Sequence, residues 1–167
     1  MGTIGGASGV YLGAFGGGYW VLTAAHVGPG NITLNSVTYT AVSGSGVPIG
    51  GADVFTYRIS SDPGLSNLAL SSVAPPAGAN LTMIGYGANR ALSALTGQAL
   101  AGWTVTGPSN NLARTEIASG TVNVLGYFEA ETHTRRWGTN TITGTAAYHV
   151  GTGLTSALST TFDAITG

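Results

Sequence analysis

Many short period-two runs, separated by glycine- and proline-containing turn strings, limit most strongly what this chain can fold into. Runs rich in Val, Thr, Tyr and Ile occupy 9–15, 19–23, 37–42, 54–59, 81–86, 103–106, 121–125 and 140–148. β-Branched and aromatic side chains fit a pleated, half-buried surface, and an alternation such as Thr121-Val122-Asn123-Val124 sends alternate side chains to one face. Between the runs stand Gly16-Gly17-Gly18, Gly28-Pro29-Gly30-Asn31, Gly44-Ser45-Gly46, Asp62-Pro63-Gly64 and Gly107-Pro108, all turn-forming strings. The one stretch with a helix-like spacing, 88–101, is interrupted by Gly97 and reads equally well as a loop. No repeat of roughly 20–50 residues is visible, which argues against a solenoid or propeller. The pattern predicts an all-β sandwich or barrel.

One internal boundary interrupts the pattern. Pro75 and Pro76, within Ser71-Ser72-Val73-Ala74-Pro75-Pro76-Ala77-Gly78, have no backbone N–H to give to a ladder, so this segment is no central strand. It reads as a linker at 75–79 between a β unit at 1–74 and a second at 80–167. A length of 167 residues suits one domain or two small sub-barrels with a shared interface.

Composition narrows the function classes. Only 7% of the residues are charged, none is lysine, and the net charge is −1. The single cluster of positive charge is Arg135-Arg136, too little to track a phosphate backbone, so nucleic acid is excluded as an expected partner. No apolar run reaches the about 18 residues a membrane helix needs, and no membrane association is expected. With no cysteine there are no disulfides or thiolate metal sites. A surface of Ser, Thr, Asn and Gly is common among secreted β-proteins. Met1-Gly2-Thr3-Ile4 lacks the basic and apolar parts of a signal peptide, so an exported form would carry its signal outside these residues.

The segment with the most chemical content is Trp20-Val21-Leu22-Thr23-Ala24-Ala25-His26-Val27. A strand running into small residues can turn sharply and present one imidazole on a rigid support. A general base requires that placement, with one ring nitrogen toward substrate and the other toward an orienting carboxylate. Gly51-Ala52-Asp53-Val54-Phe55-Thr56-Tyr57-Arg58-Ile59 offers the carboxylate, because an Asp opening an apolar strand can sit partly shielded beside a ring. The plainer alternatives are a lone histidine at a strand end and an aspartate closing a glycine turn. A third string, Leu81-Thr82-Met83-Ile84-Gly85-Tyr86-Gly87, follows the proline linker directly.

Together these strings resemble the chymotrypsin-like serine proteases, in particular compact secreted bacterial members. The histidine motif carries most of the likeness. The hairpin leading into it, the Asp 27 residues later and the Gly-aromatic-Gly strand that opens the second half support it. Arg135-Arg136-Trp137-Gly138-Thr139-Asn140 and Thr160-Thr161-Phe162-Asp163 resemble segments that precede the serine loop, with structural roles near a pocket entrance. The simpler reading of Arg135 and Arg136 is a solvated loop. The resemblance implies two six-stranded-type antiparallel β-barrels of the trypsin-like kind, the second incomplete. It implies His26 as general base and Asp53 as its orienting carboxylate, with no metal and no organic cofactor. It implies a protein or peptide substrate and an extracellular setting.

The family's nucleophile sits in Gly-Asp-Ser-Gly-Gly, and neither that string nor a Gly-x-Ser-x-Gly elbow occurs here. The nucleophilic serine is expected just beyond Gly167, together with the oxyanion donors. The chain as given is therefore expected to be inactive and to pair with that C-terminal segment. Ser109, Ser119, Ser156 and Ser159 sit in turns or featureless contexts and are poor substitutes. Glu129, Glu131 and His133 alternate and would share one strand face. That suits either a divalent cation or, more simply, an exposed polar face. His149 has no partner visible in sequence, and nothing in the sequence makes Asp163 the base of an acidic pocket. Two competing readings are a catalytically dead protease homologue that binds a partner, and an unrelated secreted β-rich binding module.

Overall fold

The computed structural model describes residues 1–107, 113–118, 122–150 and 153–161. Ser109, Ser119, Thr121, Phe162 and Asp163 lie outside the described residues. Among those described there are strands and turns but no helix, and the sheets are antiparallel. The strands are β1 (Gly2–Ile4), β2 (Ala7–Phe15), β3 (Gly18–Thr23), β4 (Ile32–Leu34), β5 (Val37–Tyr39), β6 (Val47–Pro48) and β7 (Phe55–Ile59). They continue with β8 (Asn80–Ala91), β9 (Leu100–Thr106), β10 (Ala113–Ile117), β11 (Val124–Val150) and β12 (Gly153–Thr160). The first seven form one sheet in the order β5-β4-β1-β2-β3-β7-β6. The second sheet runs β10-β9-β11-β12, with β8 also paired to β11.

Tight turns explain the short strands. Gly16 and Gly17, at φ 55° and 74°, close the β2–β3 hairpin at the Phe15–Gly18 pair. Positive φ at both central positions matches the right-handed twist of the strands they join. Gly13 takes φ 136° where the β2–β3 register slips by one residue, and a Cβ there would run into the Asn67 side chain. The Asn67 Oδ1 accepts the Ala14 N–H across this bulge at 2.9 Å.

The alternation in sequence becomes the core of the first sheet. Ile4, Tyr11, Val21, Ile32, Leu34, Tyr57 and Ile59 are buried together, with Tyr19, Val27, Tyr39, Ala41, Phe55 and Leu65 packed around them. On β7 the buried residues are Tyr57 and Ile59, two apart, as a one-sided strand requires. After β5 the chain returns along β7: Ala41 bridges Ile59, the Val42 N–H donates to the Arg58 carbonyl, and the Ser60 N–H donates to the Thr40 carbonyl.

The 88–101 stretch is not a helix. β8 runs to Ala91, Ser93 organises a tight turn, and β9 begins at Leu100. The Ser93 Oγ accepts the N–H groups of Leu95 (3.1 Å) and Thr96 (2.9 Å) and donates to the Glu116 carboxylate. Local side-chain bonds of this kind stabilise a turn in competition with helix.

The chain forms two compact units, Met1–Tyr86 with Arg135–Gly167, and Gly87–Thr134. Pro75 and Pro76 fall within the range of the first. In that unit the strand-free segment around them meets β11 through the Gly78 N–H on the Ile142 carbonyl and the Ile142 N–H on the Ala79 carbonyl. In the second, β9 pairs with β10 and with the start of β11. Arg90 there lies over the Tyr127 ring at 3.7 Å, and Trp103 meets Phe128 at 4.8 Å between ring centres.

Candidate active site

His26 is presented by a single turn that begins where β3 stops. Thr23, the last residue of β3, is buried and its hydroxyl donates to the Ser8 carbonyl at 3.0 Å. The Ala24 carbonyl then accepts from the N–H groups of Val27 (3.1 Å) and Gly28 (3.2 Å), and Gly28 ends the turn at φ 70°. Val27 packs against the core while the His26 side chain points outward. Ala24 and Ala25 are small enough for so abrupt a reversal, which is the local reason for the Thr-Ala-Ala-His order.

Asp53 comes from the other side of the same strand pair. β3 and β7 are in register with Thr23 opposite Phe55. Extending that register sets Asp53 across from Ala25, beside His26. Gly50 and Gly51, at φ 56° and 74°, let the chain reverse before β7, and the Ile49 N–H closes the loop on the Val54 carbonyl at 2.9 Å. The backbone N–H of Asp53 itself donates to the Thr155 hydroxyl at 2.7 Å.

The two side chains meet closely. The His26 Nδ1 is 2.6 Å from the Asp53 Oδ2, and the His26 backbone N–H donates to the Asp53 Oδ1 at 2.9 Å. The carboxylate thus has both oxygens engaged by one residue. The Asp53 side chain keeps only 12% of its exposure, whereas His26 keeps 67%. The backbone N–H of His26 is the main influence holding the Asp53 carboxyl below its ordinary value. Desolvation opposes it, while the His26 ring and the Ala25 backbone N–H add to the lowering. An ionised carboxylate only accepts hydrogen bonds, so a neutral ring must carry its proton on Nδ1. That leaves the Nε2 lone pair as the basic site on an exposed edge. The arrangement can remove a proton from a donor brought to Nε2 and stabilise the resulting imidazolium.

The other sequence candidates do not join this pair. Glu129, Glu131 and His133 stand exposed along β11, and the His133 Nδ1 faces the Glu131 backbone carbonyl at 3.1 Å. No grouping of three His, Asp or Glu side chains suited to a metal exists among the described residues. Arg135, Arg136 and Trp137 are exposed within β11, a strand and not a loop. His149, also exposed on β11, is paired in the ladder with Leu154. Ser156 and Ser159 are ladder residues of β12, opposite Ala147 and Gly144. Among the described residues no serine hydroxyl hydrogen-bonds the His26 ring. In Gly85-Tyr86-Gly87 the Tyr86 N–H donates to the Ser8 hydroxyl at 3.3 Å.

Thr155 is the site residue that sequence reading passed over. It lies 102 positions from Asp53, in a Ser/Thr-rich strand where no local signal separates it from its neighbours. No helix among the described residues is long and apolar enough to cross a membrane. No family model matches the chain, and no curated protein or solved structure matches it either.

Proposed function

We propose that this chain is most of a secreted, chymotrypsin-like serine endopeptidase domain whose nucleophile lies outside the 167 residues. The observation that carries the reading is the 2.6 Å contact of the His26 Nδ1 with the Asp53 Oδ2, reinforced by the His26 N–H on Oδ1. Two residues 27 apart, singled out by motif, meet in the geometry a general base needs. In this reading His26 deprotonates a serine through Nε2. Asp53 fixes the tautomer and stabilises the imidazolium. Peptide-bond cleavage proceeds through an acyl-enzyme on a protein or peptide substrate.

Neither sheet is a closed barrel, and one feature of the first favours a barrel reading. The return of 40–42 along β7 brings the chain after β5 back to the far side of the same sheet. The second barrel is completed by strands that carry the serine loop, since closing a barrel requires every strand.

The test is an active-site-directed fluorophosphonate. The 167-residue chain should stay unlabelled. A chain continued through its natural downstream sequence should be labelled on one serine, and His26→Ala should abolish that labelling. Labelling of the 167-residue chain would overturn the placement of the nucleophile. No labelling of the continued chain would overturn the endopeptidase reading in favour of a partner-binding homologue or a β-rich binding module.

A further inference from the structure

Asp53 is held at both of its functional ends. Its carboxylate oxygens are engaged by His26, and its backbone N–H is engaged by the Thr155 hydroxyl at 2.7 Å. We propose that Thr155 is a positioning residue for the His26–Asp53 pair, tying its tautomer and geometry to strand β12.

The geometry gives this hydroxyl a direction. Thr155 is paired with Tyr148 in the β11–β12 hairpin, and it is half-buried between exposed neighbours Leu154 and Ser156. Its side chain therefore stands on the inward face of β12. The Asp53 loop needs such an anchor. Gly50 and Gly51 precede it at positive φ. The bonds that close the loop, Ile49 N–H on the Val54 carbonyl and Ala52 N–H on the Ile49 carbonyl, are made by residues to either side of Asp53 and leave its own N–H to Thr155. A short side chain on a loop with two flexible residues gains precision chiefly from bonds to its backbone. Displacing the Asp53 Cα by part of an ångström would break one of two contacts, because Oδ1 and Oδ2 must meet the His26 N–H and ring at once. The Nδ1–H form of the ring would lose its acceptor, and the Nε2–H form, which has no basic edge toward substrate, would rise.

The inference rests on reading the pair as a general-base dyad, but its test needs no catalysis. In the 167-residue chain labelled with 15N-histidine, long-range 1H–15N spectra report the ratio of ring tautomers. Thr155→Val keeps the shape and removes the acceptor, whereas Thr155→Ser keeps the oxygen. The wild type and Thr155→Ser should show the Nδ1–H tautomer. Thr155→Val should shift the ratio toward Nε2–H by about threefold to tenfold, as expected for one lost hydrogen bond. Exchange of the Asp53 amide should quicken in the same variant. An unchanged tautomer ratio in folded Thr155→Val would overturn the proposal. Should that variant unfold, Thr155→Ser decides the matter: a wild-type ratio supports the role, and a shifted ratio with the oxygen retained overturns it. A wild type that shows no Nδ1–H tautomer would instead sink the dyad reading itself, which separates the two failures.

Discussion

A carboxylate whose two oxygens are both occupied by one neighbouring residue has little freedom to move, and its protonation has a predictable cost. Asp53 binds its proton less tightly folded than unfolded, because the backbone N–H of His26, and then its ring, favour the ionised form. Its stabilising contribution is therefore complete above the unfolded value, near about pH 4, and is lost as the pH falls through the lower folded value. Denaturation midpoints taken from neutral pH to the acid limb should show this loss in the wild type. Asp53→Asn should remove that part of the pH dependence. Equal acid slopes in the two proteins would mean that the carboxylate is not held as its contacts imply. Asp53→Asn also replaces the acceptor Oδ atoms with one acceptor and one donor, so the ring tautomer becomes ambiguous.

At the scale of strands and turns, stability rests on the first sheet. Tyr57 is fully buried at the centre of β7, and its hydroxyl donates to the Gly30 carbonyl at 2.7 Å. Burial pushes its ionisation up to about 12. A raised value means that the folded state keeps the proton longer, so stability holds below the unfolded value near about pH 10 and falls as the pH climbs to the folded one. Alkaline unfolding should begin in that window, and Tyr57→Phe should move it upward while costing about 1–2 kcal/mol at neutral pH for the orphaned carbonyl. An unchanged alkaline midpoint would remove Tyr57 from that transition.

The β4–β5 turn carries its own test. Asn35 and Ser36 both take positive φ, 47° and 67°, in a two-residue hairpin closed at the Leu34–Val37 pair. Asparagine tolerates this region, but serine has no special means of doing so. Ser36→Gly should raise stability by about 1 kcal/mol, read as a higher melting temperature; a fall would mean that the Ser36 side chain is needed where it stands. The same turn shows why parts of the fold were legible and others were not. Glycine turns such as Gly16-Gly17 announced their hairpins, and the 9–15, 19–23 and 54–59 runs became β2, β3 and β7 within two residues. The Asn35-Ser36 turn gave no such signal, so β4 was hidden and β5 was read too long, as 37–42 in place of Val37–Tyr39. Ala88 to Ala101 has helix-forming residues, but Ser93 captures the N–H groups a helix would need. Within the site, His26 and Asp53 were singled out by their motifs, and the β3–β7 register brings their side chains together. Thr155 was not, because its contact spans 102 positions and depends on hairpin placement that no local pattern encodes.

Among the described residues of the whole molecule, burial is unevenly shared. Of the large side chains with least exposure, Tyr57, Ile32, Leu34 and Val21 belong to the first sheet and Ile142 to β11, and Leu34→Ala should cost about 2–5 kcal/mol by calorimetry. Later strands carry large apolar residues in the open: Ile84 on β8 is 57% exposed and Leu125 on β11 is 63% exposed. Exposed side chains contribute little to folding, so Ile84→Ser and Leu125→Ser in the 167-residue chain should each change stability by no more than about 0.5 kcal/mol. They should also reduce binding of the dye ANS. The incomplete-barrel reading makes a second demand of the same substitutions. On the proposed two-barrel reading, a chain continued through closing strands would cover these side chains, and burying a leucine or isoleucine is worth about 1.5–3 kcal/mol. Each substitution should then cost on the order of 2 kcal/mol in the continued chain. Small costs in both chains would mean that these faces stay open with the downstream sequence present, and the two-barrel reading would fail even with His26 and Asp53 in contact.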